Sequence, residues 1–244
     1  MRVLALDTTT RAGSVAIVDD GRVIDEREGD AARTHAERLP GEILARLDAC
    51  HLTLADIDLF AVASGPGSFT GLRIGIATMQ GLAFVGGRRI VGVAALDALA
   101  QLASESEQSG AYIGAWIDAH RRDVFAALYS VTSSPRFEPE RLIEIEGPTV
   151  GDPSSVIARW RGRVGDARLV LVGDGATLFA DLIAREAALW DTARTMPPPL
   201  LAGAIGQMAL ARARRGETVD PAGLYPLYIR RPDAEVARDR GVAH

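Results

Sequence analysis

The residues best placed to do chemistry lie in one stretch, Gly65-Pro66-Gly67-Ser68-Phe69-Thr70-Gly71-Leu72-Arg73-Ile74-Gly75. An apolar run, Leu59 to Ala63, leads into it, and an apolar helical pattern, Leu72 to Val85, leads out. A glycine-rich loop between a buried strand and a helix start presents backbone N–H groups at the positive end of the helix dipole. One reading is an anion cradle built from Gly65, Gly67, Ser68 and Thr70. The other is a tight turn that needs glycine only for its backbone angles. Asp7 with Thr8, Thr9 and Thr10 offers a carboxylate and hydroxyls to a phosphate, or else simply begins a β-turn. Gly173 and Gly175 flank Asp174 where a strand pattern gives way to a helix, a weaker signal that reads first as a turn. Arg121 is a further candidate for an anion contact.

Other chemistries lack their residues. All 27 basic residues are arginine, which removes Schiff-base lysines and the lysine of a Walker A loop. Of the four histidines, no two are three or four residues apart, so a helical metal pair is missing. One turn after His35 stands Leu39. Cys50 is the only cysteine, which excludes an intramolecular disulfide and a cysteine zinc site. Ser68 lies between Pro66 and Thr70 and does not form the Gly-x-Ser-x-Gly elbow of a hydrolase. A net charge of −5 argues against a broad basic surface for nucleic acid. Met1 to Asp7 meets a carboxylate too early for a signal peptide, and Ile74 to Gly87 is too short to span a bilayer. A cytoplasmic protein without a membrane partner is expected.

The elements that must position these residues follow from periodicity. Arg2–Asp7, Ser14–Val18 and Arg22–Arg27 read as a meander of strands with a turn at Asp19-Asp20-Gly21. Thr34 and Glu37 form a capping box for a helix carrying Leu39, Ile43, Leu44 and Leu47 on one face. Pro40 lies in its first turns. A strand over Asp58–Ala63, the glycine loop, a helix from Gly71, a strand over Arg89–Val93 and a helix over Leu96–Ala103 complete a β-β-β-α-β-α-β-α order. Polar residues Ser104 to Gly110 mark a boundary. The second half repeats early strands, Tyr112–Ile117, Val124–Tyr129 and Arg141–Ile145, then helix Ser154–Trp160, strand Arg168–Val172, helix Ala176–Leu189, and a last helix from about Leu200 to Arg214.

That order resembles the actin-like ATPase (ASKHA) fold, an α/β architecture of two related subdomains facing a cleft, here with the second reduced. Leu6-Asp7-Thr8-Thr9, His35 with Leu39-Pro40, the segment Gly65 to Gly75, Asp118-Ala119 with Arg121, and Gly173-Asp174-Gly175 occur together and in order. On these motifs the chain closely resembles the TsaB (YeaZ) family over residues 1 to about 231. The resemblance implies a non-catalytic subunit of the machinery that adds a threonylcarbamoyl group to an adenosine next to the anticodon of ANN-decoding tRNAs. Its implied partners are TsaD, the catalytic subunit, in a heterodimer, and TsaE, an ATPase, through the complex. A homodimer is expected in isolation, and tRNA is met only as part of the complex. No metal or tightly bound cofactor is implied, and ATP or ADP only at the complex interface. The family's arginine at position 120 is here His120.

The expected division is 1–106, an N-terminal subdomain carrying the partner interface; 107–231, a C-terminal subdomain whose helix over 200–214 can pack back on the first; and 232–244, a flexible tail. The helix from Gly71 holds Gly71, Gly75 and Gly81, each costing about 1 kcal/mol against alanine inside a helix. Close packing is the usual compensation. Because the remaining residues are apolar all round, burial on more than one side is expected. In the family the first two helices meet TsaD, which assigns His35, Leu39, Ile43, Leu47, Leu72, Arg73, Gly75, Ile76 and Met79 to the interface. The rival reading is an ATPase or small-molecule kinase of the same fold, using Asp7 and the loops at 65–71 and 173–175.

Overall fold

In a computed structural model, residues 1–187 and 193–230 are described. The expected tail over 232–244, Arg231, and the end of the helix expected to run to Leu189 lie outside them.

Two five-stranded sheets share one topology. The first contains β1 (Arg2–Asp7), β2 (Ser14–Asp19), β3 (Arg22–Glu28), β4 (Leu59–Gly65) and β5 (Arg89–Ala94), in the order β3-β2-β1-β4-β5. The second contains β6 (Tyr112–Asp118), β7 (Val124–Val131), β8 (Leu142–Gly151), β9 (Leu169–Val172) and β10 (Ala193–Met196), in the order β8-β7-β6-β9-β10. In each, the first strand pairs antiparallel with the second and parallel with the fourth. Val3, Leu4, Ala5 and Leu6 are all buried because β1 is central and covered on both faces.

The helices fill three layers. α1 (His35–Ala49) and α2 (Phe69–Val85) cover the outer face of the first sheet with Leu39, Ile43, Leu47, Ile76 and Met79. α4 (Pro153–Val164), α5 (Asp174–Leu178) and α6 (Ala180–Ala187) cover the outer face of the second, around Trp116 and Trp160, whose ring centroids lie 6.0 Å apart. Between the sheets lie α3 (Ala95–Ala103) and α7 (Ala202–Arg214), rich in alanine. They are crossed: α3 leaves the first sheet and packs against β6, while α7 leaves the second and packs on β1, β2 and β4. One continuous core therefore joins the two halves.

Three sequence expectations change. The helix expected from Ala176 is two short helices, α5 and α6, broken at Phe179. The strand expected to stop at Ile145 runs on to Gly151, through Gly147-Pro148. As β8 is an edge strand with irregular register against β7, a proline amide missing there costs no central ladder bond. β10 was not expected, since Ala193-Arg194-Thr195-Met196 has no apolar alternation. The capping box forms as read, with the Thr34 backbone N–H donating to Glu37 at 2.8 Å. Pro40 sits inside α1 on its exposed side.

Candidate functional site

β1 ends at Asp7, and the β1–β2 loop that follows is the fixed point of the first half. The Asp7 carboxylate accepts from the Thr9 backbone N–H at 2.8 Å and the Thr9 hydroxyl at 2.7 Å. Burial raises its pKa despite those two bonds. The glycine loop then closes directly onto this turn. Ser68 N–H donates to the Thr9 carbonyl at 2.8 Å, and the Ser68 hydroxyl caps α2 by accepting from Gly71 N–H at 3.2 Å. A Cβ on Gly67 would lie 2.7 Å from the Thr9 carbonyl oxygen. On Gly71 it would overlap the Thr8 carbonyl, and on Gly75 the Thr8 hydroxyl. The glycines thus let α2 approach the β1–β2 loop, and the space they leave is filled by Thr8 and Thr9.

α1 is tied to the same loop from its first turn. His35 Nε2 lies 3.1 Å from the Thr10 carbonyl, and its Nδ1 lies 2.8 Å from an Arg38 Nη2. An arginine N–H must donate to Nδ1, so Nε2 carries the ring proton and the imidazole is neutral. Burial, and then the Arg38 charge, lower the His35 pKa. Arg38 is itself buried, bonded to Glu42 at 2.5 Å and to the Arg11 and Ala12 carbonyls. His35 and Arg38 act as a clamp on the loop. Leu39, where a second imidazole of a metal pair would stand, belongs to the core. Among the described residues no group of three His, Cys, Asp or Glu is arranged to hold a metal ion.

In the second half, Gly173 and Gly175 play the same part as Gly67 and Gly71. A Cβ on Gly173 would overlap the Trp116 carbonyl, and one on Gly175 would lie 3.1 Å from Ile117 backbone carbon. Between them Asp174 accepts from Asp118 N–H at 3.1 Å and from Gly175 N–H at 2.8 Å. Burial raises the Asp174 pKa, and the Asp174 charge in turn adds to the rise at Asp7. The β6–β7 turn holds His120, Arg121 and Arg122 in succession at positive φ, 57°, 56° and 67°. The segment 224–230 bridges the halves: Leu227 N–H donates to the Ser64 carbonyl at 2.7 Å, and Arg230 bonds to the Ala119 carbonyl at 2.8 Å and pairs with Asp123. A cleft of about 650 Å³ opens between this segment, Gly67 to Arg73, and the turn at 118–121.

The expected partner residues require a correction. Leu39, Ile43, Leu47, Leu72, Ile76 and Met79 are core side chains, Gly75 faces Thr8, and His35 faces Thr10; only Arg73 is exposed. Apolar periodicity marks the sheet-facing side of these helices, and that side is already occupied. The side they turn outward shows Pro40, Gly41 and Leu44 on α1, and Ala77, Gly81, Phe84 and Val85 on α2. Leu44 is 53% exposed, Phe84 77% and Val85 88%. Nothing lies within 4 Å of a Cβ built on Gly41 or Gly81. These residues were in view as parts of apolar helices, but only their direction sets them apart.

The family described as TsaD: tRNA N6-adenosine threonylcarbamoyltransferase matches residues 28–159. The tRNA threonylcarbamoyladenosine biosynthesis protein TsaB of Escherichia coli is 32% identical, over 94% of this chain and 95% of that one. The chain belongs to the TsaB (YeaZ) family. The solved structure of YeaZ from Pseudomonas aeruginosa matches with a TM-score of 0.74 and 28% identity, over 93% of this chain and 99% of that one. A component of (R)-2-hydroxyglutaryl-CoA dehydratase from Acidaminococcus fermentans matches at TM-score 0.54 and 14% identity, over 88% and 99%. That likeness shows the fold alone, which is actin-like. No helix among the described residues is long and apolar enough to cross a membrane.

Proposed function

We propose that this TsaB-family chain is the non-catalytic partner of TsaD in forming threonylcarbamoyladenosine next to the anticodon of ANN-decoding tRNAs. It docks TsaD through the outward face of α1 and α2 and keeps the enzyme in an active arrangement. The same face pairs two copies of the chain when TsaD is absent. TsaE joins through the complex, tRNA is engaged within it, and any ATP or ADP is held at the complex interface. The site of action is the cytoplasm.

One observation carries this reading: two neighbouring helices present Leu44, Phe84 and Val85 to solvent around the small residues Gly41, Ala77 and Gly81. A large apolar side chain left in water next to a flat small-residue strip favours burial against another helix. The inward glycines speak against the rival ATPase reading, because Thr8 and Thr9 take the space beside the loop.

Phe84→Asp combined with Leu44→Asp tests the docking face. The expected result is a loss of TsaD affinity by about 30-fold or more with an unchanged Tm, measured by titration calorimetry and thermal unfolding. Reconstituted modification with TsaD and TsaE should require the wild-type chain. Equal modification without it, or no complex with TsaD at micromolar concentration, overturns the reading.

A further inference from the structure

The outward face of α1 and α2 does not end at α2. The segment 221–228 runs along the far flank of that helix, packing on it from Pro221–Gly223 onward. Gln80 Nε2 donates to the Pro221 carbonyl at 2.6 Å and to the Leu224 carbonyl at 3.0 Å. Arg73 Nε donates to the Tyr228 hydroxyl at 3.0 Å, and the Phe69 and Tyr228 rings lie 5.1 Å apart. α1 holds the other flank, because a Cβ on Gly71 would lie 3.2 Å from His35 Nε2. Successive helical residues turn by about 100°, which puts Gly71 and Gln80 on opposite sides of α2. Ala77 and Gly81 face solvent between the two flanks.

Two features of this far flank point to a partner, and the second says which kind. Tyr225, next to the anchored Leu224, is 76% exposed, and Phe69, Leu227 and Tyr228 are exposed beside it. Aromatic side chains on a tethered backbone offer rigid apolar area that loses little freedom on binding. Arg73 lies over the Phe69 ring, its guanidinium carbon 4.0 Å from the centroid. Neither of its terminal nitrogens meets a carboxylate among the described residues. A planar guanidinium fixed by a ring and a phenol keeps its fork of donors for a carboxylate. α2 carries no acidic residue of its own. A second copy laid α2 against α2 therefore offers Arg73 no carboxylate from that helix, and the charge favours a partner of different sequence.

We propose that the surface that docks TsaD extends across α2 onto the segment 221–228, and that TsaD places an acidic side chain on Arg73 beside Tyr225. This rests on the functional reading above for the identity of the partner. It goes beyond that reading by adding a third element to the face and a charge contact that sets TsaD apart from a second copy of the chain.

The test measures TsaD affinity of the full chain by titration calorimetry at several salt concentrations, with self-association followed by sedimentation when TsaD is absent. Arg73→Glu is expected to weaken TsaD binding by tenfold or more, and Arg73→Gln by severalfold with a flatter salt dependence. Tyr225→Asp should cost about tenfold. Tyr228→Phe keeps the ring but frees the guanidinium, and should cost about threefold. All four side chains changed are exposed or conserved in shape, so Tm should stay at the wild-type value. Self-association should change much less than TsaD binding in the Arg73 variants. Wild-type TsaD affinity in both Arg73→Glu and Tyr225→Asp overturns the proposal. Equal losses of self-association and of TsaD binding overturn the choice of an acidic partner over a second copy. TsaD binding that is lost with Phe84→Asp and Leu44→Asp but kept in these variants sinks this proposal alone, whereas a wild-type chain that forms no complex sinks the functional reading and this surface with it.

Discussion

The two halves place a glycine-rich loop at the same topological position, after the strand parallel to the first, and use it differently. In the first half the loop starts a 17-residue helix, α2, whose glycines bring it against Thr8 and Thr9. In the second the loop presses on the β6 backbone at Trp116 and Ile117, and the helix stops after 5 residues. Glycine serves close approach in both cases. Only the first half converts that approach into a long helix with an apolar outer side, and the proposed docking face is built on it.

The strongest challenge to this comparison is to fill both loops. Gly173→Ala combines a φ of +113° with overlap of the Trp116 carbonyl, and should cost about 3 kcal/mol in denaturant unfolding. Gly67→Ala meets the Thr9 backbone and should cost a similar amount. If the second half tolerates its substitution while the first does not, the two loops are not equivalent.

Within α2 the sign should reverse along one helix. Gly75→Ala drives a methyl into the buried Thr8 hydroxyl and should destabilise by about 1 to 2 kcal/mol, net of improved helix propensity. Gly81→Ala meets nothing and should raise stability by up to about 1 kcal/mol. Thermal scans of the pair separate inward from outward glycines.

Acid should act on the clamp of the first half. Burial and Arg38 hold the His35 pKa below its ordinary 6.5, so the unfolded chain takes up that proton first. The stability contributed by neutral His35 is present above about pH 6.5 and lost as pH falls below it. His35→Gln should flatten the stability profile over that window. Asp7 works in the opposite sense. Its raised native pKa gives a contribution that is present at acid pH and lost as pH rises from about 4, so the two contributions change with pH in opposite directions.

Much of the framework was legible in the chain. The strand-helix order, the Thr34–Glu37 capping box and the turn before α2 all follow from local chemistry. The break at Phe179 and strand β10 were not legible: a short edge strand needs little apolar patterning, and its neighbour β9 supplies its register. Tyr228 shows the same limit at the cleft between the halves. It lies 155 positions from Arg73, and nothing in its local sequence announces the contact.

The sequence by itself determined most of the helices and strands, where the glycines fall, and which side-chain types the chain lacks, because backbone preference and side-chain inventory are local properties. Only the tertiary structure decided which way those groups face. α2 is apolar around nearly its whole circumference, so its periodicity carries no direction. The sheet takes Leu72, Ile76 and Met79, Thr8 takes Gly75, and what remains exposed is Ala77, Gly81, Phe84 and Val85. That choice is made by packing between residues distant in the chain.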